Sequence, residues 1–139
     1  MQATIERYAP LLARVLLSWL FLFSVYGKLT GWSGYVGYMS AKGMPFAPFF
    51  LAGTVVFLLV GGVSVLLGYK ARAGSLPLLV FLLPTTLIFH NFWAFEGAEQ
   101  QAQLIDFMKN MAIMGGVLMV TAFGSGPLSL DARNTAPRA

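Results

Sequence analysis

The chain has 139 residues, of which 58% are hydrophobic and 10% are charged, and its mean hydropathy is +0.74. Soluble domains carry about 25% charged residues, and a chain this short could bury only about two thirds of its unfolded surface, so the solvent for the rest must be lipid. A net charge of +4 without a Lys/Arg run excludes a nucleic-acid surface, and the lack of cysteine excludes disulfides, thiolate metal sites and paired-cysteine redox chemistry.

The opening "MQATIERYAPLLARVLL" does not read as a signal peptide. Glu6 lies in the region that should be basic, Arg14 interrupts the apolar run, and no small-residue cleavage motif follows. The first span is therefore expected to stay. A hydrocarbon core about 30 Å thick needs about 20 helical residues, and four segments reach that length: 9–28, 48–67, 74–93 and 103–123. The expectation is one all-α domain over 1–139, a four-helix transmembrane bundle with a polar, frayed tail at 125–139.

Pro10 suits a helix start, where its missing N–H costs nothing. The first span ends at Lys28 and leads into "LTGWSGYVGYMSAKGMPFA", read as an aromatic and glycine loop at headgroup depth. The second span carries Gly61, Gly62 and Ser64 and stops at Gly68; with Gly115 and Gly116 of the fourth, these small residues let helix backbones approach closely. "GYKARAG" is a tight basic turn. In the third span Pro84 implies a kink, with Thr85 and Thr86 able to take up freed backbone groups. "AFEGAEQQAQ" is an acidic link to the fourth span.

Arg7, Arg14, Lys70, Arg72, Arg133 and Arg138 fall at one end of this bundle, and Lys28, Lys42 and Lys109 at the other. Lys and Arg favour the cytoplasmic side, which places both termini there. Arg14 is expected to snorkel to the inner interface.

The fourth span opens with "LIDFMKN". Gln103, Asp106, Lys109 and Asn110 recur at spacings of three and four, so they share one helix face. Asp106 and Lys109 lie within roughly 8 Å of the outer boundary, shallow enough for a mutual ion pair to be inexpensive. His90 and Asn91 close the third span on the same side, and Lys28 closes the first. An antiparallel bundle brings Lys28, His90, Asn91, Asp106, Lys109 and Asn110 towards one outer polar pocket, with Asp106 facing inward to balance Lys28 or Lys109. Each has a plainer role as well: ion pair, snorkelling anchor or interhelical hydrogen bonder. A single histidine without cysteine argues against a transition-metal site.

These segments resemble the DoxX family of small bacterial inner-membrane proteins, its YqjF-like branch in particular. The resemblance rests on Arg14, on "YGKLTGWSGYVGYMSAKGMP" with Lys28, on "GGVSVLLGYKAR", on "FHNFW" and on "FMKNMAIMGGVLMV", in that order over 14–131. It implies a four-helix fold in the bacterial inner membrane, with relatives linked to quinone-dependent sulfur oxidation or to redox-stress complexes. The family pattern has a glutamate shortly before the second-span double glycine; here Leu58 stands there, which leaves Asp106 as the counter-charge for Lys28. Three functions follow as expectations. The first is an accessory or scaffold protein that contacts lipid and a membrane or redox partner. The second is a quinone-linked oxidoreductase subunit, in which Lys28, His90 and Asn110 supply hydrogen bonds and a proton to a quinone headgroup. The third is a small transporter, against which the apolar stretches at the midplane offer no continuous relay.

Overall fold

The computed structural model describes residues 1–135, and every regular element among them is helical. Helix α1 runs Gln2–Thr30, α2 Trp32–Ala41, α3 Ala47–Leu67, α4 Ala71–Gly74 and α5 Leu76–Phe89; a 3-10 turn at Phe92–Ala94 precedes α6 at Gly97–Phe123 and α7 at Leu130–Thr135. Four stretches are long and apolar enough to cross a membrane: Gln2–Thr30, Ala47–Leu67, Ala71–Ala94 and Gly97–Phe123. The 29 residues of α1 exceed the span a bilayer demands, so its first turns, with Glu6 and Arg7, reach beyond the hydrocarbon.

The third span is composite. α4, α5 and the 3-10 turn follow one another with breaks at Ser75 and at His90–Asn91. Ser75 Oγ donates to the Arg72 carbonyl at 2.9 Å and lies 2.8 Å from Thr121 Oγ1, which ties the first break to α6. Pro84 lies inside α5, and Thr86 Oγ1 donates to Leu82 O at 2.6 Å. The threonine thus bonds its own preceding turn rather than the Val80 carbonyl that the proline frees.

α1 packs on α3, α3 on α5 and α5 on α6, while α1 and α6 meet only slightly. Phe21, Val25, Leu58, Val65, Leu78, Leu82 and Val117 fill the centre. The glycines set how closely α3 and the α4–α5 junction approach. A Cβ on Gly61 would lie 2.6 Å from Leu78 Cγ and 3.0 Å from the Gly74 carbonyl oxygen.

Two expectations are corrected. The segment after Lys28 is a ten-residue helix, not a loop. α1 bends at Gly31 without losing its hydrogen bonds, since Gly31 N–H reaches Gly27 O at 2.9 Å and Tyr35 N–H reaches Gly31 O at 3.1 Å. α2 then buries Met39 against Ala47 and Leu51, with Trp32, Val36, Met44 and Phe89 around them.

The tail is the second correction. Leu130–Thr135 is helical and packed against the end of the bundle rather than frayed; residues 136–139 of that expectation lie outside the described residues. Asp131 N–H donates to Gly68 O at 2.8 Å, and its carboxylate accepts from the amides of Lys70 at 2.7 Å and Ala71 at 3.0 Å. Those amides open α4 and would otherwise have no acceptor.

Candidate functional site: a lysine cavity at one end of the bundle

Lys28 stands in the last turn of α1, one turn after Ser24, and its ammonium donates to Ser24 Oγ at 2.7 Å. The bend at Gly31 folds α2 back so that the Tyr35 ring centre lies 4.9 Å from Nζ, and Phe81 of α5 presents its ring at 5.8 Å. Ring faces attract a cation but accept no full hydrogen bond. An ammonium has three donors, and only one of them has an oxygen partner among the described residues.

The ammonium opens into a cavity of about 220 Å³. α2 contributes Tyr35, Tyr38 and Met39, α3 contributes Leu51 and Thr54, and Phe81, Thr85, Phe89 and His90 complete the wall. The lining combines apolar side chains with the hydroxyl-bearing Tyr35, Tyr38, Thr54 and Thr85. His90 Nδ1 lies 3.0 Å from Gln103 Oε1. With that carbonyl as acceptor, Nδ1 carries the proton of the neutral ring and Nε2 keeps a lone pair.

The structure therefore brings Lys28 and His90 to one cavity, and it adds Gln103 behind the histidine. It does not bring the other four expected residues into the lining. Asp106 and Lys109 pair with each other at 3.1 Å, with side chains 43% and 65% exposed, so they neutralise one another on the outside of α6. No described carboxylate lies within ion-pair distance of Lys28. Asn91 sits in the break after α5 with a buried Oδ1 that has no partner among the described residues, and Asn110 is half-buried on α6. Phe92, Trp93 and Phe107 stack edge to face beside this break, with centroids 5.2 to 6.2 Å apart.

The hydroxyl and aromatic wall is not legible from residue spacing. Tyr35 and Tyr38 recur at i,i+3, which is a helical signal, but glycine on either side of them favours a loop reading. Thr54 and Thr85 lie within uniformly apolar spans, where no periodicity distinguishes a cavity wall from a helix contact.

The opposite end also departs from expectation. Arg14 does not snorkel; it is 2% exposed. Its Nη2 donates to Leu128 O at 2.8 Å, while Nε and Nη1 have no acceptor among the described residues. Asp131, at the start of α7, is the acid nearby. Desolvation pushes its carboxyl upward, but the amides of Ala71 and Lys70, the Ser125 hydroxyl and the Arg14 charge outweigh it and hold the group below its usual range. Among the described residues no cluster of His, Asp or Glu is arranged to hold a metal ion.

Comparison with known proteins gives two family matches and three relatives. A family model described as DoxX matches residues 9–91, and one described as the SURF4 family matches residues 54–136. The chain is 35% identical over 127 residues to the inner membrane protein YqjF of Escherichia coli (strain K12), covering 91% of this chain and 92% of that protein. It is 29% identical over 123 residues to the inner membrane protein YphA of the same organism, covering 88% of each. The ER-derived vesicles protein ERV29 of Saccharomyces cerevisiae is 32% identical over 78 residues, 56% of this chain but 25% of that protein. No solved structure matches.

Proposed function

The chain belongs to the DoxX family, and from that premise we propose that it is an accessory component of a bacterial inner-membrane complex. Its task in this reading is to hold the polar head of a membrane amphiphile in the Lys28 cavity. One observation carries the proposal: a partly buried ammonium, bonded to one hydroxyl and flanked by two rings, faces a cavity that is open to an oxygen-bearing group. An inner-membrane location is supported by the names of the two bacterial relatives. The orientation is supported by charge. Arg7, Arg14, Lys70, Arg72 and Arg133 gather at the end that holds the start of α1 and helix α7, against Lys28, Lys42 and Lys109 at the other, which argues for a cytoplasmic placement of that end. The cavity then opens on the outer side.

His90 favours a second reading, the membrane subunit of a quinone-linked oxidoreductase. Lys28 would donate a hydrogen bond to a carbonyl oxygen, and His90 Nε2, with Nδ1 engaged by Gln103, would accept a proton. A quinone supplies the electron chemistry when bound; the residues of this chain supply the hydrogen bonds and the proton acceptor. The test common to both readings is gentle extraction followed by native mass spectrometry. Wild-type protein should carry a co-purified amphiphile, and Lys28→Met should lose it. Equal retention by the variant, or no adduct on the wild type, would refute the role of the cavity.

A further inference from the structure

We infer that the Lys28 cavity selects a carboxylate: the ligand is a long-chain monocarboxylic acid, bound as the anion with the start of its chain against the apolar side chains of the lining. This deepens the amphiphile-binding reading above and rests on it. The first support is charge. No described acid pairs with Lys28, and the Asp106–Lys109 pair, which could have supplied one, is closed on itself and exposed. An uncompensated ammonium in a low-dielectric wall gains most from one full negative charge, because the alternative is a buried charge without a partner. A neutral quinone or alcohol would accept a hydrogen bond but would leave that charge in place.

The second support is donor number and placement. A carboxylate has two oxygens and about four acceptor positions. Lys28 has donors left after Ser24, and Tyr35, Tyr38, Thr54 and Thr85 bring hydroxyls to the same lining. The third is size. About 220 Å³ is below the roughly 300–1,000 Å³ of sites that enclose a drug-sized ligand. It admits a small head and the first methylenes against Met39, Leu51 and Phe89, with the rest of the chain running out into lipid. A phosphodiester head, with its glycerol and two chains, needs more room.

The experiment uses the full chain in nanodiscs of phosphatidylcholine and three probes: carboxyl-labelled dodecanoate, 1-dodecanol and a decyl-substituted benzoquinone. Occupancy is measured against empty discs. Dodecanoate should bind about tenfold more tightly than dodecanol or more, as a charge-assisted hydrogen bond requires. This comparison is made on wild-type protein and stands whether or not any variant folds. Lys28→Met should remove the preference for the acid, and Asp106→Asn should leave it intact. Leu51→Trp, at a lining residue, should lower binding of all three probes by filling the cavity. Equal affinity for dodecanoate and dodecanol overturns the inference. Tight quinone binding with weak dodecanoate binding also overturns it, yet leaves the amphiphile reading standing; no probe binding above empty discs overturns both. Displacement of dodecanoate by phosphatidylglycerol in the disc would assign the cavity to a phosphodiester instead.

Discussion

Gly61→Ala is the most direct test of the packing. The new Cβ would sit 2.6 Å from Cγ and Cδ2 of Leu78 and 3.0 Å from the Gly74 carbonyl oxygen. Carbon atoms rest at about 3.5–4.0 Å, so roughly 1 Å of displacement is needed. Leu78 is fully buried, and Gly74 contributes backbone, so neither can give way without moving α5 off α3. Overpacking of this kind costs about 1–3 kcal/mol. The usual helix-propensity gain of Gly→Ala, about 1 kcal/mol in water, offsets little of it, because unassembled membrane helices remain helical in lipid. Gly115→Ala is the matched control. It lies in an apolar helix beside Gly116 and reads as a packing glycine from sequence, yet nothing stands within 4 Å of its Cβ position. Unfolding in mixed micelles of mild detergent and dodecyl sulfate, followed by circular dichroism, should show Gly61→Ala destabilised by about 1–3 kcal/mol and Gly115→Ala within about 0.5 kcal/mol of wild type. Equal stability of the two variants would refute the close approach of α3 to the α4–α5 junction.

Three further expectations can be checked in the same system. Asp131 has a lowered carboxyl in the folded state, so its contribution is complete above the ordinary carboxylate value near 4 and is lost as pH falls through the folded value. Thermal stability of the wild type should therefore decline on acidification in that window, and Asp131→Asn should flatten that part of the curve; parallel curves would refute the assignment. The Asp106–Lys109 pair is exposed, so a double-mutant cycle with Asp106→Asn and Lys109→Met should give a coupling below about 1 kcal/mol, whereas several kcal/mol would require an inward-facing, desolvated pair. For topology, a reporter active only in the periplasm should be silent at residue 138 and active in the loop at Gly97; the reverse pattern would invert the proposed orientation.

The four spans were legible in the sequence because bilayer thickness imposes a length that only a few apolar runs meet. The arrival of Lys28 and His90 at one end follows from the same arithmetic. What escaped was decided by contacts across the chain. α2 is rich in glycine and aromatics, which are weak helix formers; it is helical because Met39 is buried against Ala47 and Leu51. Spacing grouped the polar residues of the fourth span on one face, but it does not say which way each points: Gln103 reaches His90, while Asp106 and Lys109 turn outward. The tail reads as frayed because its partners, the amides of Lys70 and Ala71, lie 61 and 60 residues away.

That last contact bears on two of the three cations on α1. Arg14 and Lys28 are 14 positions apart, about 21 Å along the helix, and both are drawn into the protein rather than extended to the interface. Arg14 is met by the rest of the chain. The segment after α6 folds over it, Leu128 offers a carbonyl, and Asp131 stands near enough for its charge to be felt while it caps α4. The fold thus spends its C-terminal segment on one cation. Lys28 receives a hydroxyl and two aromatic faces, and Leu58 is buried in the apolar core. A helix that neutralises one buried cation from within its own chain and leaves the other facing a cavity distinguishes a structural charge from a receptive one. The Arg14 end is tied by contacts within the chain, and the Lys28 end is where the proposed carboxylate would meet its cation.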